Sequence, residues 1–439
     1  MFYRSTRDAS VKCSSAEAIS KGISEDGGLF VPESIPVLSD DDFKRLIDLD
    51  YIGRAREVLK LFLDDYTEEE LYSCLKGAYT GTFDNNAPAP LKKLDSGKYV
   101  LELWHGPTCA FKDLALRLLP FLLTAAAKKT GKGRSVILVA TSGDTGKAAL
   151  EGFRDVEGTD IIVFYPVHGV SPMQKLQMDT QKGGNVNVCA INGNFDDAQT
   201  GVKKIFTDRA VKEKLRAAGM EFSSANSINW GRLVPQIVYY VSSYCELLKN
   251  GEDLKNGFNV VVPTGNFGNI LAAYYAKCMG VPIAKLVCAS NANNVLTDFI
   301  NTGVYDKNRD FYTTTSPSMD ILISSNLERM LYHLYGNDAK ATLELQKQLA
   351  DKGRFEVSGD VLADLKDLYF GGCCDDKGTL DTIKDVYSKY GYLLDTHTAV
   401  AVSVQREYEE KTGDKRPYVI ASTASPYKFS ASVLKAVAP

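Results

Sequence analysis

The sequence predicts an α/β fold, a parallel sheet with helices on both of its faces. Two observations carry that expectation. From residue 96 onward, short apolar runs that read as buried strands alternate with amphipathic runs that read as helices. Strand after strand also ends in a loop of Gly, Ser, Thr or Asn that opens the next helix. In such a repeat, ligands sit at the carboxyl ends of the strands.

Residues 1–95 read as a leading section. A helix is expected over 16–21, closed by Gly22, and the turn Asp-Gly-Gly-Leu-Phe-Val-Pro (26–32) leads into a short strand. Helical periodicity covers 40–49, 54–63 and 67–79, and 81–90, rich in Asn, Ala and Pro, reads as a connector. Residues 96–290 hold the first part of the core. A strand over 99–104 meets a Gly106-Pro107 turn, and an amphipathic helix is expected over 114–127. Further strands are expected over 135–140, 161–165, 187–191, 258–262 and 285–289. Helices should start at Lys147, after a Ser171 cap, near 196 and beyond 269. Residues 291–385 lose this rhythm. Polar loops at 291–294 and 313–318, helices, and an acidic turn at 373–378 read as a mainly helical insert. The core resumes over 386–439 with a helix after His397-Thr398, a strand over 418–421 and a last helix.

Composition narrows the function. The 439 residues are 44% hydrophobic, enough for a large core divided among two or three domains, and carry a net charge of −4 with acid and base interspersed. No basic stripe argues for nucleic acid, and no apolar run nears the roughly 20 residues of a membrane helix. The first residues, Met-Phe-Tyr-Arg-Ser-Thr-Arg, lack the apolar stretch of a signal peptide, so a cytoplasmic protein is expected. Nine cysteines lie mostly within apolar segments (Cys189, Cys245, Cys278, Cys288) and read as buried reduced thiols. The four histidines are far apart and form no H-x-x-x-H pair, so no metal site is expected.

The chemistry is expected around Lys112. It stands where strand and turn meet the following helix, which would hold its amine at an element end facing the interior. A lysine near pKa 10.4 needs burial before it serves as a nucleophile. A lone lysine there is more often a solvated first-turn residue, but three further loops change the balance. Gly-Asn-Phe-Gly-Asn (265–269) between strand and helix offers unpaired N–H groups and a helix dipole to a phosphate, though a plain glycine turn reads equally well. Thr141 to Gly146 is a second nest of hydroxyls and N–H groups, suited to a carboxylate or another phosphate. Ser-Ala-Asn-Ser-Ile-Asn (224–229), followed by Arg232, either caps a helix or holds an oxyanion. Ser422-Thr423, at another strand end, either caps the last helix or donates a hydroxyl to a ring nitrogen. An amine, a phosphate nest, a carboxylate nest and a ring-nitrogen partner are together the equipment for pyridoxal phosphate.

Five ordered motifs carry a resemblance. His-Gly-Pro-Thr-x-Ala-Phe-Lys-Asp (105–113), Ala-Thr-Ser-Gly-Asp-Thr-Gly (140–146), 224–229, 265–269 and Thr-Ala-x-Pro-x-Lys-Phe (423–429) resemble the threonine synthase family, long branch. That family lies within the pyridoxal-phosphate enzymes of tryptophan-synthase-β type. The resemblance implies a fold-type II architecture, two doubly wound parallel-sheet domains with the leading section and the insert added. It implies Lys112 as the Schiff-base lysine and catalytic residue. Gly265, Asn266, Phe267, Gly268 and Asn269 would cradle the phosphate of pyridoxal 5'-phosphate, and Thr423 would meet its ring nitrogen. Thr141, Ser142, Gly143, Asp144 and Thr145 would lie against the substrate carboxylate. Asn226, Ser227, Asn229 and Arg232 would hold the substrate phosphate, with Lys175 and Lys428 in reserve. The implied reaction converts O-phospho-L-homoserine and water to L-threonine and phosphate. Related dehydratases usually carry Asn where Asp144 stands. Ser425, where the family often has His, and Thr396, where Pro often precedes His397, depart from the pattern. A threonine or serine dehydratase of the same fold is the nearest alternative, and a non-catalytic amino-acid-binding regulator a more distant one. The oligomeric state stays open between monomer and homodimer.

Overall fold

The computed structural model describes residues 1–438 apart from 142, 168, 169 and 171, and all their side chains but those of 144, 172, 173, 195, 196 and 207. The Ser171 cap expected from the sequence therefore lies outside the described residues. Two sheets carry the βα core. The larger has the order Tyr369–Cys373, Ile283–Ser290, Phe258–Pro263, Tyr418–Ser422, Lys98–Glu102, Leu91–Asp95. Its first five strands run parallel, and Leu91–Asp95 is antiparallel to its neighbour. The smaller sheet is parallel throughout: Val186–Ile191, Thr159–Pro166, Arg134–Ala140, Met220–Ser223. Every residue of Phe258–Pro263 is buried, as a central strand covered on both faces requires.

The leading section folds from local signals. Ser14, Ser39 and Thr67 each close a reciprocal capping box with the residue three positions on, starting the helices Ser15–Lys21, Asp40–Asp48 and Glu68–Tyr79. Gly22, with φ of 73°, ends the first of them. Tyr3–Ser5 pairs antiparallel with Lys12–Cys13 on one side and Phe30–Pro32 on the other. The long helix Trp230–Lys249 is buried on nearly every side and packs against the helices Tyr51–Phe62, Lys112–Leu116 and Gly268–Cys278.

Four sequence expectations need correction. The single helix over 114–127 is two helices, Lys112–Leu116 and Leu119–Thr130, because Pro120 in the first turn of the second has no N–H to offer the Leu116 carbonyl. That carbonyl packs instead against Gly152, where a Cβ would come within 2.2 Å of it. Leu91–Asp95 and Tyr369–Cys373, assigned to the leading section and to the helical insert, are edge strands of the large sheet. Met220–Ser223 is a strand that its four residues did not reveal. Among the thiols expected inside, Cys245 and Cys288 are buried, but Cys278 is half-buried and Cys189 exposed. Cys189 lies on the edge strand Val186–Ile191, whose side chains alternate between the two faces. Among the described residues, no helix is long and apolar enough to cross a membrane, and no group of three or more His, Cys, Asp or Glu is placed to hold a metal.

One buried cation joins three distant segments. Arg329 is fully buried, and burial lowers its guanidinium pKa to about 10. It donates to the Phe30 carbonyl at 2.9 Å, to the Ile228 carbonyl, and to Asn326 Oδ1 at 2.5 Å. The leading section, the 224–229 loop and the insert thus share one donor fork. Arg329→Leu should lower unfolding stability by about 3 kcal/mol or more, since each acceptor would stay buried without a donor. A urea titration of the variant against the parent protein measures the loss.

Candidate functional site

Parallel pairing decides where the site lies. Phe258–Pro263, Tyr418–Ser422 and Lys98–Glu102 are adjacent, and the register of Ser422 with Glu102 and of Val261 with Ile420 sends three loops out at one edge. The loop after Glu102 carries Lys112, the loop after Ser422 carries Thr423, and the loop after Pro263 carries Gly265 to Asn269. The first two are stitched together. The Phe111 N–H donates to the Thr423 carbonyl at 2.9 Å, Ala110 and Ala424 form a β-bridge, and the Ser425 N–H donates to the Cys109 carbonyl at 3.0 Å. Lys428, held in reserve for a phosphate, donates instead to the Thr108 carbonyl at 2.9 Å.

Lys112 is the first residue of its helix and is half-buried. Its Nζ lies 3.5 Å from Ser318 Oγ and over the Phe111 ring, 4.8 Å from the centroid. Directly after it, Asp113 is fully buried and receives the Thr108 N–H at 2.7 Å and the Thr108 hydroxyl at 2.6 Å. Burial pushes its carboxyl pKa up to about 6, against the pull of those two donors. Gly106 lies so close to Asp113 that a Cβ would stand 2.6 Å from Oδ2.

The glycine loop has the shape of an anion site. Phe267 is held at φ of 62°, and the helix Gly268–Cys278 begins directly after it, so its first N–H groups lack partners within the helix. Asn269 accepts from the Tyr240 hydroxyl, while its Nδ2 is buried with no hydrogen-bond partner among the described residues. Gly265 has no room for a side chain, since a Cβ would lie 2.8 Å from the Ser318 carbonyl. Ser324 Oγ donates to the Gly265 carbonyl at 2.8 Å, and Asn326 donates from N and Nδ2 to the Asn266 carbonyl at 3.1 and 3.0 Å. Thr423 is 6% exposed, and its hydroxyl makes no hydrogen bond to a described residue. A half-buried amine, a helix-start cradle and, among the described residues, an amide nitrogen and a hydroxyl without partners fit pyridoxal phosphate.

The other two loops open helices that pack on the Lys112 helix, namely Asp144–Phe153 and Trp230–Lys249. Thr141 is buried, and its hydroxyl accepts the N–H groups of Gly143 and Gly146, both at 3.0 Å, and donates to the Gly143 carbonyl. It shapes the nest from inside, with Gly143 and Thr145 at the turn. Ser142 and the Asp144 side chain lie outside the described residues. Asn229 is also committed to structure. It is fully buried, donates to the Ile19 and Ser224 carbonyls at 3.0 and 2.7 Å, and caps the next helix through Gly231 N–H. Asn226 is exposed and Ser227 half-buried. Arg232 is 6% exposed, and burial lowers its pKa to about 10. Among the described residues it donates only to the Ala225 carbonyl, at 2.8 Å, and meets no carboxylate. A buried guanidinium in that state is a place for an anion.

Sequence reasoning missed Ser318, Ser324, Asn326 and Tyr240. Their segments carry no phosphate-loop signature, and their contacts span 59, 60 and 29 positions for Gly265, Asn266 and Asn269, and 206 for Lys112.

Comparison with known proteins agrees with this geometry. Residues 2–79 match the family described as threonine synthase N terminus, and residues 83–423 the pyridoxal-phosphate dependent enzymes. A threonine synthase from Pseudomonas aeruginosa is 39% identical over 99% of this chain and 90% of its own length. Threonine synthase-like 1 from Homo sapiens is 40% identical over 96% of this chain, which spans 58% of that longer protein. A crystal structure of pyridoxal-phosphate-bound threonine synthase from Brucella melitensis superposes with a TM-score of 0.93 at 39% identity, covering 100% of this chain and 92% of the other.

The Asp113 environment has a measurable consequence. Its folded-state pKa of about 6 exceeds the ordinary 3.8, so the folded protein binds this proton more tightly than the unfolded chain. The stability it contributes is complete below about pH 4 and lost as pH rises through about 6. Relative to Asp113→Asn, which cannot ionise, the parent protein should lose on the order of 3 kcal/mol across that window. Chemical denaturation of both at pH 4, 5, 6 and 7 reads the difference. A gap that does not change with pH would contradict the assignment.

Proposed function

The chain belongs to the threonine synthase family of pyridoxal-phosphate-dependent enzymes, and from that premise we propose that it converts O-phospho-L-homoserine and water to L-threonine and phosphate. The observation that carries the reading is the convergence of Lys112, the 265–269 cradle and Thr423 on adjacent strand ends of one sheet. Lys112 would hold the cofactor covalently, the 265–269 loop its phosphate and Thr423 its ring nitrogen. When bound, pyridoxal phosphate supplies an electron sink for charge at the carbon beside the substrate amine.

The chain's own residues do the rest. The Lys112 amine, once released, takes the α proton and is placed to return one further along the carbon chain. Thr423 would offer the ring nitrogen a neutral hydroxyl in place of a carboxylate, which would temper the sink. Gly143 and Thr145, in the nest that Thr141 shapes, present N–H and hydroxyl donors to the substrate carboxylate, with Ser142 and Asp144 in the same loop. Arg232, with Asn226 and Ser227 on the loop before it, supplies charge and donors for the leaving phosphate. Asn229 serves this group indirectly, by fixing the loop. Apart from the edge strands Leu91–Asp95 and Tyr369–Cys373, which join the large sheet, residues 1–95 act as a family-specific section and 291–385 as an insert that brings Ser318, Ser324 and Asn326 onto the core. All nine cysteines stand as free thiols, which suits a cytoplasmic setting.

Purified protein loaded with pyridoxal phosphate should release phosphate and threonine in equal amounts from O-phosphohomoserine. Lys112→Ala should lower that rate by roughly 10³-fold or more. Ammonia and 2-oxobutanoate from threonine, with no phosphate from O-phosphohomoserine, would make the protein a dehydratase instead.

A further inference from the structure

We propose that Ser318, clamped by His397, is a positioning residue for the Lys112 amine, an inference that rests on the reading of Lys112 given above. Three features of the sequence have no part in the proposed chemistry so far: the Asn291-Ala292-Asn293 turn, the polar 313–318 loop and His397. In the structure they form one assembly.

The assembly begins at Asp395. Its Oδ1 lies 2.9 Å from His397 Nδ1 and accepts the His397 N–H at 2.8 Å, and both side chains are buried. His397 Nε2 accepts the Ser318 N–H at 3.1 Å. Because a backbone N–H can only donate, Nε2 is the bare nitrogen and Nδ1 carries the proton toward Asp395. From the other side, Asn291 donates to the Ser316 carbonyl at 3.3 Å and to Asp320 Oδ1 at 2.7 Å, and Asn293 donates to Asp320 Oδ1 at 3.0 Å. The 3-10 turn Pro317–Met319 is thereby fixed from the core strand and from the helix that carries His397.

Its placement is specific. The Ser318 carbonyl lies 2.8 Å from where a Cβ on Gly265 would stand, and the Ser318 hydroxyl lies 3.5 Å from Lys112 Nζ. One residue therefore touches the cofactor cradle through its backbone and the reactive amine through its side chain. Ser318 Oγ accepts an amine N–H and so aims the nitrogen lone pair. His397, which touches neither the cradle nor the amine, acts by holding Ser318.

The test uses full-length protein loaded with pyridoxal phosphate, and reads two quantities. One is kcat with saturating O-phosphohomoserine. The other needs no substrate: the pH at which the absorbance of the bound cofactor changes. Ser318→Ala should lower kcat by about 10- to 100-fold with KM little changed. It should also move the absorbance midpoint down by about half a pH unit, because an acceptor for the protonated nitrogen is lost. Ser318→Thr, which keeps the hydroxyl, should recover both. His397→Ala should reproduce the shift, and the double variant should go no further than either single one. An unmoved midpoint in Ser318→Ala would overturn the proposal, whatever happens to kcat. So would additive losses in the double variant. If the parent protein does not turn over O-phosphohomoserine, the substrate reading fails, while the midpoint still decides the role of Ser318.

Discussion

Parallel pairing of strands is the constraint from which the rest follows. A parallel strand can return to its neighbour only through a crossover, so every strand leaves the sheet at the same edge and every loop there opens a helix. The carboxyl edge thus collects helix starts, each with N–H groups that have no partner within the helix. In this chain three adjacent strands, Phe258–Pro263, Tyr418–Ser422 and Lys98–Glu102, deliver a glycine cradle, a hydroxyl and an amine to that edge. The hydrogen bonds from Phe111 to Thr423 and from Ser425 to Cys109 then set the amine and hydroxyl in register, much as a short sheet would.

Burial of charge divides this molecule into scaffold and site. Arg329 and Arg232 are both buried arginines with lowered pKa, yet their surroundings differ. Arg329 reaches three oxygens from three segments, and its desolvation is offset by the joining of those segments. Arg232 reaches one carbonyl and no carboxylate among the described residues. The same comparison separates Asn229, saturated by Ile19, Ser224 and Gly231, from Asn269, whose Nδ2 is left over. Groups whose hydrogen bonds are complete build the site.

The insert enters the site by way of loops, not helices. Ser318, Ser324 and Asn326 come from an irregular stretch between the strand Val304–Asp306 and the helix Leu327–Leu334, and all three touch the core at Lys112, Gly265 or Asn266. Irregular backbone can be held this closely only if its own polar groups are satisfied, and Asn291, Asn293 and Asp320 do that. A polar stretch with no periodicity in the sequence is thus as firmly placed as a strand.

The sequence by itself determined the parallel α/β class, most strand positions, the helix end at Gly22, and the motifs around Lys112, 265–269 and Thr423. These depend on neighbours within a few residues, through hydrophobic period, turn chemistry and capping, and such signals survive in a linear reading. Tertiary structure alone decided the rest. It packed the Leu116 carbonyl, which Pro120 leaves without an N–H, on Gly152, and it drew Leu91–Asp95 and Tyr369–Cys373 into the large sheet. It turned Thr141 and Asn229 inward, as framework for the loops they belong to. It also set Ser318 against Lys112 and His397 behind Ser318. The physical reason is range: these contacts join residues far apart in the chain, and their hydrogen bonds and close approaches exist only once the strands between them have paired.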